Sequence, residues 1–156
     1  HEQQVGNLGV RDRAQYLLRP RHLDRSPLGA RRPQRVTRPV EALDRAAWRT
    51  RFRDPSELRL AADALAEAAP PDSVTAGLAE FHRAWHCLAL FDQISAAARH
   101  DLAYALFEKH HFDLGLDRLR VVNALIVLRA GKSQAALDAL NTPQRSALEE
   151  PLPEAR

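Results

Sequence analysis

The run Val121-Val122-Asn123-Ala124-Leu125-Ile126-Val127-Leu128 is the densest apolar stretch of the chain, and any fold must find cover for it. It lies within residues 112–140, FDLGLDRLRVVNALIVLRAGKSQAALDAL, between Asp113 as an entry signal and Gly131 as an exit. Two templates compete for it. The β-branched residues suit a buried strand. A helix accounts for more: Leu116, Leu119, Val122, Asn123 and Ile126 recur at three- and four-residue steps, and Asp113 can cap the first turn. Gly131 supplies the left-handed residue that closes many helices, with Arg129 near the negative end of the dipole. The spacing therefore predicts a helix. Apolar residues wrap its last two turns, so burial on more than one side is expected, with Asn123 inside and in need of a hydrogen-bond partner.

The upstream segments read as helices able to cover this one. Pro39 suits the first residue of a helix to about Arg53, with Val40, Leu43, Ala47, Trp48 and Phe52 on its apolar side. Asp54-Pro55-Ser56-Glu57 is the sharpest local signal, a cap followed by a first-turn proline and an acid at the capping-box position. It opens a helix with Leu58, Ala61, Ala62, Leu65, Ala66 and Ala69 on one stripe, ended by Pro70-Pro71. After Asp72-Ser73, the residues Val74, Leu78, Phe81, Trp85 and Leu88 form one seam to about Phe91. Ser95 offers a restart, with Leu102, Ala105, Leu106 and Phe107 expected inward. Ser133 is expected to cap a short helix to Leu140. Thr142-Pro143 can open a last turn, and Pro151 and Pro153 mark a tail.

Charge divides the chain. Residues 1–53 hold 13 Arg and 5 acids, or +8; the remainder holds 10 Arg plus Lys and 15 acids, or −5, which together give the net +3. In residues 1–39, Pro20, Pro27, Pro33 and Pro39 recur every six or seven positions and forbid a long helix. Few apolar anchors are present there (Tyr16, Leu17, Leu18, Leu23). Such an arm orders only against a partner surface. Arg19, Arg21, Arg25, Arg31, Arg32, Arg35 and Arg38 are its candidate contacts, since a guanidinium fork matches carboxylate and phosphate alike.

The chemistry-bearing residues form no recognised catalytic motif. His82 and His86 share a helical face, but Arg83 stands where the metalloprotease glutamate belongs, and Cys87 points about 100° away on helical geometry. His100, His110 and His111 are possible further ligands; surface or structural histidines, and no metal, are expected. Gly131-Lys132-Ser133 lacks the leading glycine of a phosphate-binding loop, where Ile126 stands. Cys87, the one cysteine, permits no internal disulfide and reads as an inert thiol. No apolar run approaches the roughly 20 residues of a membrane span.

Leu102-Ala103, Leu106, Phe112, Gly115, Leu119 and Val122 resemble the paired small and large residues of a tetratricopeptide hairpin. Ala130-Gly131-Lys132-Ser133 with Ala136 and Leu140 resembles the second-helix half of another. The marker positions 115 and 136 lie 21 residues apart, against the family period of 34, and the terminal proline is missing after Val122. What the resemblance implies is shared hairpin packing, not membership.

The sequence thus predicts an all-α protein of five or six helices over residues 40–148, behind an extended basic arm (1–39) and before a tail (149–156). The expected role is a non-catalytic interaction subunit of a larger assembly, with other protein subunits as partners and no cofactor or small-molecule ligand. The alternative is a nucleic-acid-binding component, its arginines on phosphates and Tyr16 or Trp48 stacking on a base. The chain contains no methionine. A processed organellar (mitochondrial) protein is favoured over a bacterial cytoplasmic one, in a compartment permitted to be reducing.

Overall fold

In a computed structural model of the chain, the structure describes residues 36–142. Among them are six helices and no strand: α1 Arg38–Thr50, α2 Pro55–Ala68, α3 Val74–Ala89, α4 Gln93–Lys109, α5 Asp113–Arg129 and α6 Ser133–Asn141. Consecutive helices pack antiparallel, and α3 also touches α1 and α5. The predicted arm up to residue 35, and the predicted helix start and tail beyond residue 142, lie outside the described residues.

The strongest local signals set the early helix starts. Asp54 Oδ1 accepts from Ser56 N at 2.7 Å and Glu57 N at 3.3 Å, with Pro55 beginning α2. Ser73 Oγ accepts from Ala76 N at 3.1 Å at the start of α3. Other boundaries shift from expectation. Helix α1 stops at Thr50, whose hydroxyl bonds back to Ala46 O and Ala47 O. Helix α4 begins two residues before Ser95, because Asp92 Oδ1 accepts from Ser95 N at 3.0 Å. Asp113 and Ser133 do not cap; they are first helical residues, and the caps are Phe112 and Lys132, without side-chain bonds.

The core centres on α3, not on the Val121–Leu128 run. Val74, Leu78, Phe81, Trp85 and Leu88 are all buried, as their spacing predicted. Around them lie Leu58, Ala62 and Leu65 from α2, Ala96, Ala103 and Phe107 from α4, and Leu116, Leu119 and Val122 from α5. The expected burial of α5 on more than one side is corrected. Leu114, Val121 and Leu128, spaced by seven, remain 46%, 40% and 48% exposed, because no described helix packs on that stripe. In α4, Leu102 and Ala105 likewise face out, while Ala103 and Phe107 face in.

Two glycines let the hub close. A Cβ at Gly77 would meet Phe107 Cε1 at 2.6 Å, and one at Gly115 would meet Phe107 Cδ2 at 2.7 Å and Phe112 Cδ1 at 2.5 Å. The Phe107 ring is therefore clasped between α3 and α5 at backbone range. Polar ties add to this. Arg83 bridges Asp63 and Glu80, and Arg99 reaches Glu80 at 2.8 Å. Arg120 donates to the Ala139, Leu140 and Thr142 carbonyls, holding the end of α6, a helix with the single buried residue Ala136.

The turns after α3, α4 and α5 recur at 20-residue spacing. Each has a left-handed residue, Phe91 (φ 62°), His111 (φ 53°) and Gly131 (φ 78°). In each the next amide bonds back five residues: Asp92 N to Cys87 O, Phe112 N to Phe107 O and Lys132 N to Val127 O. This is the Schellman closure, and only its third copy has the glycine that favours it. A left-handed aromatic is strained by roughly 1–2 kcal/mol. Phe91→Gly should therefore stabilise the chain by about 0.5–1 kcal/mol and raise its denaturant midpoint, less any contribution from the Arg129 guanidinium 4.7 Å over the Phe91 ring. A chemical denaturation curve checks it.

Candidate functional site

A partly buried cluster of polar side chains sits where α1, α3 and α5 meet. Asp44, Trp48 and Arg51 share one face of α1 and its C-terminal cap, at steps of four and three. His82 and Trp85 are one turn apart on α3, and Arg118 comes from α5. His82 Nε2 lies 2.8 Å from Asp44 Oδ1, and Arg118 Nη1 donates to Asp44 Oδ2 at 2.8 Å. His82 is fully buried, and the side chains of Asp44 and Arg118 are 14% and 24% exposed. One carboxylate thus joins three helices.

Aromatic faces close the cluster. The Arg51 guanidinium lies 3.5 Å from the Trp48 ring centroid and 4.4 Å from that of Phe52, and Arg118 stands 5.1 Å over Trp48. Arg51 also donates to the Trp48 carbonyl. Trp48 stacks on Phe81 at 6.0 Å, and Phe52 meets Trp85 edge-on at 5.3 Å. These pairings confer rigidity and keep both guanidiniums over π faces.

Protonation follows from the geometry. Burial pushes the His82 imidazole below its usual range and outweighs the Asp44 hydrogen bond and charge that favour the cation. The ring is therefore neutral, with Nε2–H donating to Asp44 and the Nδ1 lone pair buried without a partner. Burial alone would raise the Asp44 carboxyl, but hydrogen bonds from His82 and Arg118, together with their charges, hold it below the ordinary carboxylate range. Burial and the neighbouring Arg118 charge lower the Arg51 guanidinium, which stays cationic.

An aspartate-bound neutral histidine has the chemistry of a general base. Here His82 is fully buried and its free nitrogen is enclosed by protein, and the one cysteine, Cys87, is half-buried in the last turns of α3. Burial and then Asp92 push the Cys87 thiol up, away from the nucleophilic thiolate. The geometry is that of a structural polar joint.

The expected site residues fall as follows. Arg38 is exposed as the first residue of α1, whereas Arg19, Arg21, Arg25, Arg31, Arg32, Arg35 and Tyr16 lie outside the described residues. Trp48, read as free to stack on a base, has its faces engaged by Arg51 and Phe81. His82 and His86 do not converge on a third ligand, and among the described residues no group of three or more His, Cys, Asp or Glu could hold a metal. His100 pairs with Asp101 and His110 with the Asp72 carbonyl. Gly131-Lys132-Ser133 forms the closing turn described above. Asp44 and Arg118 were missed by sequence reading; an acid in the polar gap of an otherwise apolar face, opposite a buried histidine, was their only signal.

Compared with protein-family models, curated proteins and solved structures, the chain matches none.

Proposed function

We propose that this chain is an interaction subunit of a larger assembly, without a catalytic role of its own. The observation that carries this reading is the open edge of the helical stack. Leu114, Val121 and Leu128 on α5 and Leu137 and Leu140 on α6 are all 40–54% exposed. Stacked hairpins normally end in a polar cap. Among the described residues the last layer is instead apolar, the kind of patch that protein partners cover. In this reading the hairpins pack in a loosely tetratricopeptide-like way, with Gly77 and Gly115 admitting Phe107. The arginine-rich arm, residues 1–39, docks on a neighbouring component as a second tether, through Arg31, Arg32, Arg35 and Arg38 among others. The internally paired Asp44–His82–Arg118 joint supports a rigid mount better than a reaction centre.

The mass of the tagged full chain, measured in a native extract and again after purification, tests this reading. A species larger than the free chain is expected in the extract. Val121→Asp with Leu137→Asp, or separately loss of residues 1–38, should return it to monomer mass while helical circular dichroism holds. A chain at monomer mass in the extract would defeat the proposal. Salt-sensitive retention on RNA or DNA would move the assignment to the nucleic-acid alternative.

A further inference from the structure

The end of the bundle formed by the turns after α1, α3 and α5 carries a second apolar surface of a different kind. Ile94 is 87% exposed, Phe91 77%, Phe52 72% and Leu90 58%; of the described large apolar side chains, only Leu60 at 63% ranks among them. These four gather at one end. Phe52 touches Trp85 in the last turns of α3, and Arg129 at the end of α5 donates to the Leu88 carbonyl at 2.6 Å and covers Phe91.

Three features distinguish this end from an ordinary surface. The apolar side chains sit on turn tips or in a first helical turn, so they protrude and line no groove. Phe91 holds a large apolar side chain 77% exposed on its left-handed backbone, where the equivalent turns place His111 and Gly131. Cations also outnumber acids there. Arg49, Arg51, Arg53, Arg129 and Lys132 lie in these turns and the adjoining helical turns, against Asp54, Glu57 and Asp92. Asp54 and Asp92 are engaged as helix caps, and Arg51 and Arg129 by the Trp48 and Leu88 carbonyls, which leaves Arg49, Arg53 and Lys132 against Glu57.

From this we infer that the Phe52–Phe91–Ile94 end docks on an anionic lipid surface, its apolar tips entering the headgroup boundary and its cations pairing with phosphate. Protruding tips fit a soft, flat layer, whereas a protein partner must offer a matching pocket for each. No helix among the described residues is long and apolar enough to cross a membrane, so the docking is interfacial. The cations supply attraction and the apolar tips supply depth. This inference is independent of the open α5–α6 edge.

The test uses the full chain and vesicles of phosphatidylcholine with one part in four phosphatidylglycerol, followed by sedimentation. Binding is expected to these vesicles and to fall sharply on pure phosphatidylcholine. Phe91→Asn with Ile94→Ser should weaken it by at least about tenfold, since both exposed apolar side chains are lost. Because every arginine remains in that variant, unchanged binding would assign the attraction to charge elsewhere and overturn the proposal. Ile94→Asp alone, on a side chain 87% exposed, should also weaken binding while circular dichroism holds, and unchanged binding would likewise overturn the proposal. No sedimentation of the parent chain also overturns the proposal. So does a change in self-association, read by light scattering, without a change in vesicle binding; that result would assign the surface to a second copy.

Discussion

Phe107→Ala should destabilise the chain by about 3–5 kcal/mol, the largest loss expected from any single truncation in this core. The ring is fully buried and held from both sides by Gly77 and Gly115, so the surrounding backbone cannot close the gap without moving α3 or α5. The converse changes are informative. Gly77→Ala and Gly115→Ala each set a methyl within 2.8 Å of the ring, and overpacking of about 1–3 kcal/mol should exceed the roughly 1 kcal/mol that alanine contributes in a helix. In a Phe107→Ala background Gly77→Ala should become neutral or stabilising, whereas Gly115→Ala should recover only in part, because its methyl still meets Phe112 Cδ1 at 2.5 Å. Urea denaturation of the four chains of each cycle measures that coupling; simple additivity would mean that the clasp is not what holds these helices.

Removing the carboxylate at the centre of the polar joint comes second. Asp44→Ala is expected to cost about 3–5 kcal/mol, because it leaves the buried His82 nitrogen and the Arg118 guanidinium without their acceptor. The parent chain should also lose stability in acid in two stages. The His82 ring resists protonation when folded, so below about pH 6.5 the unfolded chain binds a proton that the folded one does not, and stability falls with pH down to the folded value. Asp44, depressed in the fold, adds a second loss as pH falls below about 3.9. His82→Gln, which keeps a donor near the Nε2 position, should remove the first stage and leave the second. Thermal melts from pH 7 to pH 3 check both; an unchanged upper stage in the glutamine chain would place the titration elsewhere.

The helices were legible because their punctuation is local. Asp54-Pro55-Ser56-Glu57 and Ser73 carry their own hydrogen bonds, and the Val74–Leu88 seam has one dominant face. What escaped reading depends on partners far along the chain. Phe91 and His111 close their helices in the left-handed conformation without glycine, so two copies of a turn repeated every 20 residues gave no residue-level sign. The Val121–Leu128 run promised the deepest burial, yet apolar density says nothing of whether a neighbouring helix exists to cover a stripe. For the polar joint, His82 stood out only as half of a His82/His86 pair at helical spacing. Its acceptor lies 38 positions away and the second donor to that acceptor a further 36, distances over which no spacing rule operates.

Arg120 gives the last helix an unusual dependence. With Ala136 its single buried residue, α6 is held by its packing along α5 and by one guanidinium spread over three carbonyls at its end. Of the described helices it buries the fewest side chains, so local opening is expected there first while the centre of the stack stays shut. Amide exchange would then be graded along the chain, fastest in α6 and slowest in α3.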